Sequence, residues 1–485
     1  MLRFLHRGFL SRNSRNFKLI IAPIARYSRN GSSWATAIET AEKLVQPSKK
    51  SSFTDPFSIV SNEMSSLLKN IAGLISSGHP TLNRVSSYYF EAEGKNVRPL
   101  IVLLLSKALS KIPIEQRNRV PIDELDVTTQ PNFPGLPSKP TIAGRSVIDS
   151  ISPLAILHGI NPSIVLDPLT KPLGKLPELD KQNGILPKQR RLGEIVEMIH
   201  TASLLHDDVI DFSDSRRGRP SGNIAFTNKM AILAGDFLLG RASVAIARLR
   251  NPEVIELMSM TIANLVEGEF MQLKNTVFQP NTNVVEGDKQ IPQATGKVPV
   301  QLHEYSVVPT RNPANITHEE NVNAAFEYYI HKTYLKTASL MSKSARSAAI
   351  LSGAQLDVVE NCYQFGRNLG LCFQMVDDML DYTRSDEELG KPSGADLKLG
   401  LATAPVLYAW KERPELGPMI GRKFSEPGDV ETARLAVKAC NGVQQTRLMA
   451  QDYCNRALQN LSILPNSDAR SALEFLTNSI LTRTK

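Results

Sequence analysis

Asp207-Asp208-Val209-Ile210-Asp211 and Asp377-Asp378-Met379-Leu380-Asp381 are two copies of one pattern, D-D-x-x-D, set 170 residues apart. Positions i and i+4 of a helix share a face, so Asp207 points with Asp211, and Asp377 with Asp381. Steps of three and four extend each face: His200, Leu204, Asp207 and Asp211 in one, Gly370, Gln374, Asp377 and Asp381 in the other. A single D-D-x-x-D run is most often a solvated surface. Two copies, each set within a largely apolar helix, do not fit that description. Carboxylates gathered out of water repel one another and need cations to compensate. Mg²⁺ suits them, because it takes one or two carboxylates together with waters and substrate phosphates. The six aspartates are thus the candidate catalytic residues, and Asp207, Asp211, Asp377 and Asp381 the candidate metal ligands. A di-iron bundle would need inward-facing Glu-x-x-His pairs, which neither motif offers.

Cationic residues supply the other half of a diphosphate site. Lys95 and Arg98 stand three apart at a helix start in Gly94-Lys95-Asn96-Val97-Arg98-Pro99. Cations there oppose the helix dipole, and an anion bound at that N-terminus would reconcile them. An ordinary solvated turn would accommodate them too. Arg216 and Arg217 follow the first aspartate motif, and arginine forks grip phosphate oxygens bidentately. The plain alternative is a basic surface loop. Lys336-Thr337 lies within a helical segment, with Lys332-Thr333 one turn earlier, and spacing alone does not decide which pair faces inward.

Helical periodicity must position these groups. It runs over 52–111, with Pro99 in the first turn of a helix reaching about Leu109, where a proline's missing N–H is harmless. It returns over 192–211, 224–250, 254–273, 319–351, 357–382, 403–410, 431–461 and 468–482. Between lie two irregular stretches, about 113–187 and 278–317, the first holding 12 of the 30 prolines. They read as surface insertions in one all-α domain spanning 52–482.

The net charge of +8 is concentrated at one end. Residues 1–38 carry seven Lys and Arg and no acid, so the remainder is nearly neutral and offers no general argument for nucleic-acid binding. A basic, serine-containing, acid-free leader with Leu2, Phe4, Leu5, Phe9 and Leu10 predicts a mitochondrial transit peptide over residues 1–35. No apolar run approaches the roughly 18 residues of a membrane span. The four cysteines form no Cys-x-x-Cys pair and read as core residues of a reducing compartment.

In order along the chain stand G-K-N-V-R-P, I-H-T-A-S-L-L-H-D-D-V-I-D, R-R-G, K-T-A-S-L, F-Q-M-V-D-D-M-L-D-Y and G-K-P-S-G-A-D-L. This series resembles the E-type (trans) polyprenyl diphosphate synthases over about 55–111, 189–276 and 319–482, and most closely their mitochondrial members that make the ubiquinone side chain. The resemblance implies an isoprenoid synthase fold of antiparallel helices around a deep cavity, in a homodimer or higher oligomer. It places Lys95, Arg98, His200 and Arg217 on isopentenyl diphosphate, and Arg216, Lys336, Thr337 and Gln374 on the allylic diphosphate. Where many members carry Lys in G-K-x-T, this chain has Leu401, so that phosphate contact is lost.

The chemistry so implied is ionisation of the allylic diphosphate with metal help, attack of the isopentenyl double bond on C1, and loss of a proton. Ala202 and Ser203, five and four residues before Asp207, are small. In this family bulky aromatics near those positions block the cavity, so small residues predict a long product of about six to ten isoprene units. A non-catalytic subunit of a heteromeric synthase is the main alternative, and it would typically lack one aspartate motif. A terpene cyclase would not need the isopentenyl site. A peripheral role at the inner membrane is compatible with an apolar product, although no amphipathic anchor is evident.

Overall fold

The computed structural model describes residues 55–77, 79–91, 96–118, 184–274, 317–383 and 394–483. The expected leader over 1–35, nearly all of both insertions, and Lys95 lie outside the described residues. All described residues fall in one compact unit, Ser32–Lys485.

Helices α1 (Pro56–Ile59), α2 (Ser61–Leu74), α3 (Pro80–Ser87) and α4 (Val97–Leu109) occupy the first helical segment. Prolines open α1 and α3, with the Asp55 carboxylate and the His79 ring as N-caps. In α4 the run Leu100–Leu105 is no more than 5% exposed at any position. A helix apolar on every side is buried on every side, and each such side chain stabilises the fold by roughly 1.5–3 kcal/mol.

Helix α5 (Pro187–Ile210) begins before the expected Leu192. Pro187 sits in its first turn, and Gln189 Oε1 accepts from Leu186 N at 3.0 Å, so the last proline of the insertion starts the helix. A two-residue hairpin, β1 (Ser215–Arg216) and β2 (Arg219–Pro220), follows. Then come α6 (Gly222–Ala225), α7 (Asn228–Ala247), α8 (Pro252–Lys274) and α9 (His318–Thr333). Where one α-helix is expected over 319–351, α9 passes into a π turn (Tyr334–Ala338) and on into α10 (Ser339–Leu351). Next are α11 (Leu356–Thr383), α12 (Ala395–Lys398), α13 (Ala404–Glu412), α14 (Leu416–Gly421), α15 (Asp429–Ala439), α16 (Gly442–Leu461) and α17 (Asp468–Leu481). The expected helix over 431–461 breaks at Asn441, which turns left-handed at φ 51°.

Helix α11 is the axis, packed against α16 and α10, while α5 packs against α7 and α4. The hairpin is the only sheet among the described residues, so the chain is all-α as its periodicity predicts. The four cysteines are free and buried. Helix α7, with mean hydropathy 1.6, is the one described helix long and apolar enough to cross a membrane. It packs on α5, and its buried Arg241 donates to Ser76 O at 2.7 Å, as a core helix would. Its outer face nevertheless leaves Met230, Ile232 and Leu233 exposed.

Candidate active site

The two acidic stripes meet. Asp207 and Asp211 from α5, and Asp377, Asp378 and Asp381 from α11, line one cleft of about 440 Å³. Arg216, Lys332, Lys336, Thr337, Gln374 and Arg483 line the same space. Both lysine–threonine pairs therefore face inward, a question that spacing had left open.

Asp208 does not line the cleft. It is fully buried, takes a hydrogen bond from the Tyr89 hydroxyl, and accepts from Arg216 Nε at 2.8 Å and Nη2 at 2.5 Å. Its neighbours in the motif face the cleft while Asp208 turns back to hold Arg216 at the rim. The hairpin makes this aim feasible. Arg217 and Gly218 both adopt positive φ, 52° and 73°, the two-residue turn that follows strand twist. Arg216 then reaches Asp208, and Arg217 Nη1 lies 3.5 Å from Tyr89 O.

On the α11 side, hydrogen bonds link the expected allylic ligands to one aspartate. Thr337 Oγ1 donates to Gln374 Oε1 at 2.9 Å, and Gln374 Nε2 donates to Asp378 Oδ1 at 2.9 Å. The Tyr329 hydroxyl donates to Asp378 Oδ2 at 2.6 Å. Asp381 accepts from the backbone N–H of Ala395 and Asp396 at the start of α12, at 3.1 and 3.2 Å. Asp377 pairs with Arg483 at 2.6 Å. Lys336 Nζ lies 2.5 Å from Glu269 Oε2 and donates to Gln272 Oε1 at 3.0 Å.

Arg98 and His200 lie beside the hairpin. Arg98 Nη1 is 2.9 Å from His200 Nε2. Arginine can only donate, so the histidine is neutral there, with its proton assigned to Nδ1. Burial, and then Arg98 and Arg217, hold its pKa well below the ordinary value. Buried Arg98 Nε has no partner among the described residues, a donor left over for an acceptor. Glu197, one turn before His200, is buried close to Arg98 and Arg217, and burial pushes its carboxyl up.

Electrostatics favour a cation in the cleft. Burial, and then the Glu269 and Asp211 carboxylates, raise Asp207 to about 7 against the pull of Lys336. Burial raises Asp378 to about 6. Among the described residues no trio of His, Cys, Asp or Glu gathers into a metal-holding group. Carboxylate pairs completed by water and phosphate remain, which is how Mg²⁺ binds.

Sequence reasoning missed Glu269, Gln272, Tyr89, Tyr329, Glu197, Asp396 and Arg483. Glu197 was the most findable, since it continues the Asp211–Asp207–Leu204–His200 stripe by one more step of three. Of the chain-length candidates, Ala202 is fully buried and Ser203 half-buried, with its Oγ donating to His200 O at 2.8 Å. Leu204 and Leu401 line the cleft.

A helical bundle whose two acidic helices meet across a cation-ringed cleft has the build of an isoprenoid synthase. The family described as Polyprenyl synthetase matches residues 175–437, and this chain belongs to it. It is 62% identical over 465 residues to the mitochondrial hexaprenyl pyrophosphate synthase of Saccharomyces cerevisiae, covering 95% of this chain and 97% of that one. It is 58% identical to the probable mitochondrial hexaprenyl pyrophosphate synthase of Yarrowia lipolytica, covering 93% and 89%. A Caulobacter crescentus polyprenyl synthase, crystallised with calcium and isoprenyl diphosphate, shares the fold with TM-score 0.60 at 22% identity, over 90% of this chain and all of that one.

Proposed function

We propose that the chain is a long-chain trans-polyprenyl diphosphate synthase. It condenses isopentenyl diphosphate sequentially onto an allylic diphosphate, such as farnesyl diphosphate, to make the side-chain precursor of ubiquinone. The observation that carries this is the convergence of Asp207, Asp211, Asp377 and Asp381 on one cleft with Arg216, Lys336 and Thr337. The similarity to the two fungal hexaprenyl synthases supports a hexaprenyl product.

Asp207, Asp211, Asp377 and Asp381 would hold Mg²⁺, and the raised carboxyl of Asp207 marks a place short of positive charge. Bound there, Mg²⁺ supplies Lewis-acid neutralisation of a departing diphosphate. Arg216, Lys336, Thr337 and Gln374 orient the allylic diphosphate. Lys95, Arg98, His200 and Arg217 hold isopentenyl diphosphate so that its double bond meets the allylic C1, and apolar walls keep water from the electron-poor carbon. Calorimetric titration with farnesyl thiodiphosphate tests the cation's role. Binding is expected with Mg²⁺ and lost in chelator, whereas equal affinity in both would remove the metal from the site.

Small Ala202 and Ser203 leave room for a growing chain, and Ala202→Phe is expected to shorten it. An unchanged length distribution from a folded variant would reject that role. Exposed Met230 and Leu233 on α7, and Met260, Val266 and Phe270 on the adjoining α8, support docking of a second copy there as a homodimer. The leader over residues 1–35 addresses the protein to mitochondria, in keeping with the names of the fungal relatives. There it works in the matrix, peripheral to the inner membrane that receives so apolar a product. The Pro-rich stretches at 113–187 and 278–317 interrupt the sequence of the 52–482 synthase domain.

A further inference from the structure

We propose that the π turn Tyr334–Ala338 is a positioning element for the allylic end of the cleft, and that Gly268 of α8 and Gly370 of α11 are its seats. This rests on the role proposed above for Lys336 and Thr337. Ser339 N donates to Tyr334 O, five residues back, so the turn holds one residue more than an α turn. An α-helix rotates by about 100° per residue. The extra residue therefore resets by about a quarter turn which side chains of the rod face the cleft, and Lys332, Lys336 and Thr337 all do.

Such a turn persists where its surroundings fix it, and here two helices close on it, one at Lys336 and one at Ala338. A Cβ on Gly268 would lie 2.8 Å from Lys336 N and 3.1 Å from Lys336 Cα. A Cβ on Gly370 would lie 2.6 Å from Ala338 Cα and 2.7 Å from Ala338 Cβ. Neither glycine has a positive φ, so backbone conformation does not require it. Each sits inside a helix, where glycine costs about 1 kcal/mol relative to alanine. Close approach to the π turn is the compensating reason. Each helix also extends a polar side chain from beside its glycine. Glu269 and Gln272 of α8 take the Lys336 ammonium, and Gln374 of α11 takes the Thr337 hydroxyl. The glycines set how near the turn lies, and these side chains set where its two ligands point.

The test is steady-state kinetics of the full chain with Mg²⁺, varying farnesyl diphosphate and isopentenyl diphosphate separately. Gly268→Ala and Gly370→Ala are expected to raise KM for farnesyl diphosphate about tenfold or more, with KM for isopentenyl diphosphate unchanged. Gly193→Ala is the control, because its Cβ would meet nothing closer than 3.7 Å. Should Gly370→Ala fail to fold, deletion of Ala338, which returns the turn to α geometry and keeps both ligands, carries the same expected split. Unchanged KM values, or an equal rise in both, would overturn the proposal. Failure of the wild type and of Gly193→Ala to condense the substrates would instead overturn the functional reading beneath it.

Discussion

Asp207→Asn is expected to lower kcat by about a thousandfold or more while raising the melting temperature of the metal-free protein. The two effects share a cause. The Asp207 carboxyl is half-buried among like charges from Glu269 and Asp211, and its pKa is about 7 rather than 3.8. Between those values the folded state holds a proton that the unfolded chain has released, so the fold loses stability as pH rises through that window. Asparagine keeps the shape and removes the charge, which flattens this loss. It also removes an anionic ligand for the cation that would neutralise the leaving diphosphate. Scanning calorimetry in chelator from about pH 4 to pH 7, alongside turnover with Mg²⁺, measures both sides. A variant that is less stable near neutral pH, or that retains turnover, would contradict this.

One residue on, the expectation inverts. Asp208→Asn should destabilise the protein by roughly 3–5 kcal/mol, because it leaves the Arg216 guanidinium without its anion in a largely buried setting. Asparagine offers one acceptor oxygen where the carboxylate offers two, so Tyr89 and Arg216 compete for it, and because Tyr89 OH also receives the Gly222 N–H at 2.6 Å the hairpin mooring loosens as a unit. Two adjacent aspartates of one motif thus divide their work under the proposed function: Asp207 faces the cleft, and Asp208 holds Arg216 at its rim. An Asp208→Asn protein with an unchanged melting temperature would refute that division.

Much of this was legible from spacing. The i, i+4 rule placed Asp207 with Asp211 and Asp377 with Asp381, and the structure puts both pairs on one cleft. The rule concerns one helix at a time, however. It could not show that Asp208, a hundred degrees around α5, meets Tyr89 and Arg216, because those partners arrive from α3's end and from the hairpin. Nor could it resolve Lys332 against Lys336. A π turn leaves no sequence periodicity of its own, and the glycines it packs against lie on two other helices. Boundaries failed where local chemistry outweighed pattern: Pro187 started a helix, and Asn441 ended the expected continuity of 431–461 by turning left-handed. Arg483 was invisible as a site residue because only the fold of α17 brings the chain's end to Asp377.

The most direct measurement is the product itself. Purified protein, Mg²⁺, farnesyl diphosphate and radiolabelled isopentenyl diphosphate are combined, and the dephosphorylated products are sized by chromatography. Long all-trans polyprenols centred on six isoprene units, absent with Asp207→Asn, are the expected result. A folded protein that binds both diphosphates and yields no product, or stops after one condensation, would contradict a long-chain synthase.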